Sequence, residues 1–145
     1  MRHAGKQRGG TLVEFAIVLP IFVSMMFIIF DFARALQTYH TMTNAAREGA
    51  RFSVAPYYGS NELPSADAVQ ARVCDYMRPG AVFCGSGPDN ATVTVSQSVT
   101  NTVNGVSTTF TEVDVTTPYR FKLLRFATIT LATKAVMRNE NNAIP

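Results

Sequence analysis

From Phe15 to Phe30 the chain runs F-A-I-V-L-P-I-F-V-S-M-M-F-I-I-F, sixteen residues without a charge. Counted from Thr11, the run is twenty residues long with Glu14 as its one charge. Twenty helical residues rise about 30 Å, the thickness of a bilayer's hydrocarbon core, so residues 11–30 are predicted to span a membrane. The pattern then changes without stopping. Phe32, Leu36, Tyr39, Thr43, Ala46 and Ala50 recur at spacings of three and four, as one face of a helix requires. Gly49 is the first interruption after Pro20, and Pro56 is the first firm stop. The reading is one helix from about Thr11 to about Val54, apolar all round at its start and amphipathic afterwards. Pro20 removes one backbone hydrogen bond inside it and should bend or loosen it locally.

Beyond the helix the punctuation is clear. Pro56–Pro64 and Gly85–Asn90 read as loops by their turn residues. Between them Ser65 is placed to cap a short helix, with Asp67 in its first turn, Ala66, Val69, Val73 and Tyr76 as its buried stripe, and Arg78-Pro79-Gly80 as its end. From Ala91 the period drops to two. Val93, Val95 and Val99 alternate with Thr and Ser, and Asn104-Gly105 is a strong hairpin signal. A two-residue loop there pairs Val99 with Phe110 but would set Val95 against Asp114, with Val113 and Val115 on the opposite face. A one-residue slip reverses every side chain, so a β-bulge, or a longer loop, is expected between the two regions. A last strand alternates Ala127, Ile129, Leu131, Ala135 and Met137 with Thr128, Thr130, Lys134 and Arg138. The expected fold class is α+β: a long N-terminal helix packed on a small antiparallel sheet of three or four strands, with one short helix. The expected division is a basic leader over 1–9, the helix over 10–54 and a separate domain over 55–145.

Charge changes this picture at one end only. The chain has 13 Lys+Arg and 10 Asp+Glu. Arg2, Lys6 and Arg8 lie in the first nine residues, and from Gly10 onward ten basic residues meet ten acidic ones. The basic character therefore belongs to the leader. No Lys/Arg cluster marks the rest as a nucleic-acid surface. A basic leader before the apolar run and Asp31 after it place the N-terminus in the cytoplasm and the chain beyond residue 31 outside.

Glu14 is the anomaly. A charge at the centre of a membrane helix costs roughly 2.5–3.5 kcal/mol on insertion scales, so an intramembrane carboxylate is a functional candidate. Simpler readings compete: a secretory signal with Ala33-Arg34-Ala35 as the cleavage motif, or a plain signal anchor whose Glu14 snorkels to the headgroups. A buried core helix of a soluble protein would need more chain to cover it. Farther along, Ala45/Gly49 and Ala46/Ala50 are small-x-x-x-small pairs. They admit a close backbone from another helix, or form a tight seat for the same domain's sheet.

Cys74 and Cys84 are the chain's two cysteines. Outside the membrane they favour a disulfide, with two free buried thiols as the alternative. No metal site is expected, since no His stands beside them. No nucleophile–base pair or phosphate-binding Gly loop appears, so neither an enzyme, a cofactor nor a small-molecule substrate is expected.

Two motifs resemble a known family. Gly9-Gly10-Thr11-Leu12-Val13-Glu14-Phe15 looks like a class III prepilin signal, cut by a membrane aspartyl peptidase after a Gly with a Glu five residues into the product. The run V-E-F-A-I-V-L-P over 13–20 and N-A-A-R-E-G-A-R over 44–51 are similar to TadE-like pseudopilins of tight-adherence (Flp/Tad) pilus systems, and Met137-Arg138-Asn139-Glu140 resembles the family's C-terminus more loosely. The resemblance implies a minor pilin of the bacterial inner membrane, cut between Gly9 and Gly10. Glu14 and Phe15 would serve peptidase recognition and assembly. The implied partners are the prepilin peptidase, other pilins or pseudopilins, the assembly platform and the lipid bilayer. The rival from another class is an unprocessed anchored module that binds a secretion or envelope component.

Overall fold

The computed structural model describes residues 7–56, 62–103, 106–122 and 127–139. The leader up to residue 6 with His3, most of the Pro56–Pro64 loop, the Asn104-Gly105 turn and Glu140 lie outside the described residues.

The first element, α1 (Gln7–Val54), is a single helix of 48 residues. It begins three residues before the expected 10–54 span, so Gly9 and Gly10 are helical. The α-helix also continues through Pro20. Near that point the Ser24 hydroxyl donates to the Pro20 carbonyl at 2.7 Å.

The short helix α2 (Ala66–Met77) starts where the polar pattern placed it. Ser65 is its N-cap, and its side-chain oxygen accepts the Ala68 N–H at 3.3 Å, satisfying one amide that the helix itself cannot. Val69 and Val73 are buried, but the stripe ends on Met77, with Tyr76 half exposed. The expectation for Tyr76 fails for a simple reason. Residues 69, 73 and 77 lie four apart and stack on one line of the helix, whereas 76 is rotated off it and carries a hydroxyl that favours water. A 3-10 turn, Arg78–Gly80, closes the helix.

Three strands follow, β1 (Thr92–Val103), β2 (Val106–Arg120) and β3 (Thr128–Arg138), in the antiparallel order β1-β2-β3. Together with the two helices they make an α+β fold. Val103 pairs with Val106 and Val99 with Phe110, yet Val95 pairs with Val113 and Val93 with Val115. The shift lies between Ser96 and Val99, where Gln97 and Ser98 stand against Thr111 alone. Ser98 takes φ 64°. This bulge keeps Val93, Val113 and Val115 on the core side, the outcome that the valine pattern required. β2 tolerates Pro118 because that residue lies past the last β1 pair, Thr92 with Thr116.

One face of the sheet is covered. Met42, Ala45, Ala46 and Ala50 of α1, Val69, Val73 and Met77 of α2, and Val93, Val113, Val115 and Ala135 of the sheet form one core. On β3 the covered stretch is short: Ala135 is buried, while Ile129 and Met137 at its ends are exposed. The other sheet face is polar and rich in Thr, and there Lys134 pairs with Glu112.

Candidate functional site: the uncovered half of the long helix

The two halves of α1 have opposite surroundings. Every residue from Gly9 to Phe30 is exposed, including Leu12, Phe15, Ile17, Phe22, Phe27 and Phe30. An 18-residue window of this helix reaches a mean hydropathy of 2.6 with none of it buried. Exposed apolar surface on this scale needs a partner. The length and composition make the helix a candidate membrane span, compatible with membrane anchoring.

Glu14 lies on this bare surface. It is one turn above Gly10, and residues four apart share a helix face. Helical side chains lean toward the N-terminus, so its carboxylate is carried toward Gly10. Phe15 lies one position round, 61 % exposed. Two glycines in the first turns make that end easy to unwind, since each costs about 1 kcal/mol in a helix relative to Ala.

Among the described residues of α1 the first buried one is Asp31, only 6 % exposed. There the Tyr119 hydroxyl, at the end of β2, donates to the Asp31 main-chain carbonyl at 3.1 Å. Burial raises the Tyr119 pKa above its ordinary 10.0; the Asp31 carboxylate raises it further and the Arg34 guanidinium lowers it. Nothing in the sequence distinguishes Asp31 from a solvated flank, because its cover comes from strands some ninety residues away. Ala35 is the next buried position, and from Met42 onward α1 is committed to the core.

The small residues are spent inside the chain. Ala45, Ala46 and Ala50 are fully buried. Gly49 faces α2: a Cβ built on it would fall inside van der Waals contact of Val73 Cγ2 and 3.6 Å from Val69 Cγ1. The polar members of the same stretch hold α2 from the rim. Glu48 accepts from Arg72 at 3.1 Å and lies 3.7 Å from Arg51. Thr43 and Thr133 hydroxyls meet at 3.3 Å where α1 crosses β3. The second motif therefore seats α2 and the sheet, and the first stays uncovered.

Cys74 on α2 and Cys84 before β1 form a disulfide with Cα atoms 5.7 Å apart. His40 is exposed, edge-on to the Tyr39 ring. Among the described residues no group of His, Cys, Asp and Glu is placed to hold a metal ion.

The class defined by this arrangement is a small α+β head carried on a helix long and apolar enough to cross a membrane. Residues 9–51 match the family model described as TadE-like protein, consistent with a TadE-like protein of a Tad pilus system. The match takes in Glu14 and the small-residue seat and ends before α2. No curated protein and no solved structure matches the chain.

Proposed function

We propose that this chain is a membrane-anchored pseudopilin, or minor pilin, that helps assemble a Flp-type pilus after cleavage by a prepilin peptidase. In this reading residues 11–30 span the bacterial inner membrane, the N-terminus is cytoplasmic, and residues 55–145 lie outside with the second half of the helix. The carrying observation is a helix whose first half is apolar and wholly uncovered, with the carboxylate of Glu14 set into it. A span needs no such carboxylate to stay in lipid; one there implies a cationic partner.

Cleavage between Gly9 and Gly10 supplies that partner. It leaves an α-amino group on Gly10, on the helix face that carries Glu14. Glu14 of one subunit meets the new amine of a neighbour when their helices stand at the right height. A buried ion pair adds little net stability, but an unpaired member costs several kcal/mol. The pair therefore sets axial register, while the exposed phenylalanines and aliphatic residues provide the contact area. The helical start at Gln7 adds one step: the peptidase unwinds the first turn to reach the Gly9–Gly10 bond, at low cost because both residues are glycine. No catalysis, cofactor, nucleic acid or small-molecule substrate enters this function.

The test is N-terminal mass mapping of the mature protein from cells that hold the peptidase. A start at Gly10 supports the pseudopilin. A start at Met1 supports the unprocessed anchored module, and a start near Leu36 the secretory signal.

A further inference from the structure

Where the bare helix enters the head, α1 and Lys122, two residues past the end of β2, line a cleft of about 580 Å³. Phe27 and Phe30 line it from the last turns of the apolar run, and Asp31, Arg34, Gln37 and Lys122 from the side of the head. Phe27 and Phe30 belong to the exposed apolar surface, at 56 % and 59 % exposure. Arg34 is on α1 and Lys122 follows β2, yet both line this one cleft. The cleft is thus apolar on the side of the span and cationic on the side of the head.

We propose that this cleft docks the head onto the membrane leaflet from which the helix emerges, with Arg34 and Lys122 taking the phosphate of an anionic phospholipid and Phe27 and Phe30 lying against its acyl chains. The proposal rests on the reading of residues 11–30 as a span. Its first support is continuity: Lys122 stands beside the last turn of the apolar run, which meets the headgroup layer if Phe15–Phe30 lies in hydrocarbon. Charge is the second. Arg51, Arg72, Arg78, Arg120 and Lys134 each pair with a carboxylate, whereas Arg34, Arg47, Lys122 and Arg138 are in no ion pair among the described residues, and of these Arg34 and Lys122 line the cleft. Asp31, the acid among the described lining residues, is 6 % exposed and has an interaction of its own within the chain. The third support is the aromatic neighbourhood. Tyr119 and Phe121 pack edge to face with ring centres 5.4 Å apart, beside Lys122, and such rings favour the boundary between lipid and water.

Docking of this kind orients the head, because the Tyr119–Asp31 junction is then held at the membrane surface. An anionic surface attracts each nearby Lys or Arg enough to shift an equilibrium about fivefold.

The full chain is reconstituted in nanodiscs of phosphatidylcholine alone, or with phosphatidylglycerol added, and amide hydrogen exchange is read over Tyr119–Lys122. Exchange should slow about fivefold per cation in the anionic discs. Arg34→Gln with Lys122→Gln should remove that lipid dependence and leave the chain resistant to carbonate extraction. Equal exchange in both discs, from a chain that resists extraction, overturns the docking and leaves the span standing. Exchange that slows with subunit density but not with lipid charge assigns the cleft to another protein, and also overturns it. Release by carbonate removes the span reading itself.

Discussion

Gly49 of α1 faces Val73 of α2 so closely that no β-carbon fits between the two helices. The close approach lets the fully buried Val69, Val73 and Met77 reach a core that α1 lines with alanines. Gly49→Ala gains about 1 kcal/mol of helix propensity and loses more to overpacking, which typically costs 1–3 kcal/mol. The full chain in detergent should unfold at lower denaturant than the parent. Adding Val73→Ala opens space beside the new methyl group, so the two changes should be less than additive. Strict additivity in a double-mutant cycle would show that the contact does not limit the packing.

Glu14→Ala removes a carboxylate from the uncovered surface without touching the core. Membrane insertion should be retained, since the substitution makes the run more apolar. Assembly into fibres should be lost, because the amine of a neighbour then has no counter-charge. Quantifying sheared fibres against membrane-bound subunit separates the two effects. Normal fibre yield would remove the register role.

Reducing the Cys74–Cys84 disulfide, or replacing both residues with Ser, frees a loop with a sequence separation of 10. The chain-entropy account assigns such a loop about 2–3 kcal/mol. A chemical unfolding curve with and without reductant should show a loss of that size. Protection of α2 amides should fall first, since Cys74 lies within α2.

Tyr119→Phe deletes the bond to the Asp31 carbonyl and should cost about 0.5–1.5 kcal/mol. The pH dependence has a definite sign. The folded-state pKa of Tyr119 lies above the ordinary 10.0 of the unfolded chain, so the folded form holds its proton longer. This contribution is complete below pH 10.0 and is lost as pH rises through the higher folded value. A stability profile from pH 9 upward should fall less for Tyr119→Phe than for the parent.

Ser98 sits in the β1 bulge at φ 64°. A left-handed residue with a Cβ carries strain of roughly 1–2 kcal/mol, so Ser98→Gly should be neutral or stabilising. Ser98→Val should destabilise, because a β-branched side chain fits that conformation worst. Equal stabilities for the two variants would place the register shift elsewhere.

Much of this was legible along the chain because it depends on local periodicity. Alternating valines that disagree in parity on the two arms of a hairpin call for a bulge or a longer loop, and the bulge sets Val95 opposite Val113 on the core face while Val99 stays opposite Phe110 on the other. Ser65 reads as a cap because its side chain satisfies an amide only three residues away. The twenty-residue run from Thr11 with Glu14 inside it is visible because length and hydropathy are properties of consecutive residues. Tyr76 was misplaced because Val69 and Val73 allow either of two neighbouring lines down the helix, and only the packed sheet selects the one that ends in Met77.

Periodicity by itself determined the long helix, its apolar first half, an antiparallel sheet and a parity mismatch to be absorbed by a bulge or a longer loop; the structure settled on three strands and a bulge. Tertiary structure alone decided that Ala45, Ala46, Gly49 and Ala50 pack within their own chain, that Tyr119 bonds the Asp31 carbonyl, and that Arg34 and Lys122 line one cleft. A small-residue stripe states only that something can come close, and a charge states only that it carries one. What approaches them is set by segments distant in sequence, whose positions follow from the shared core.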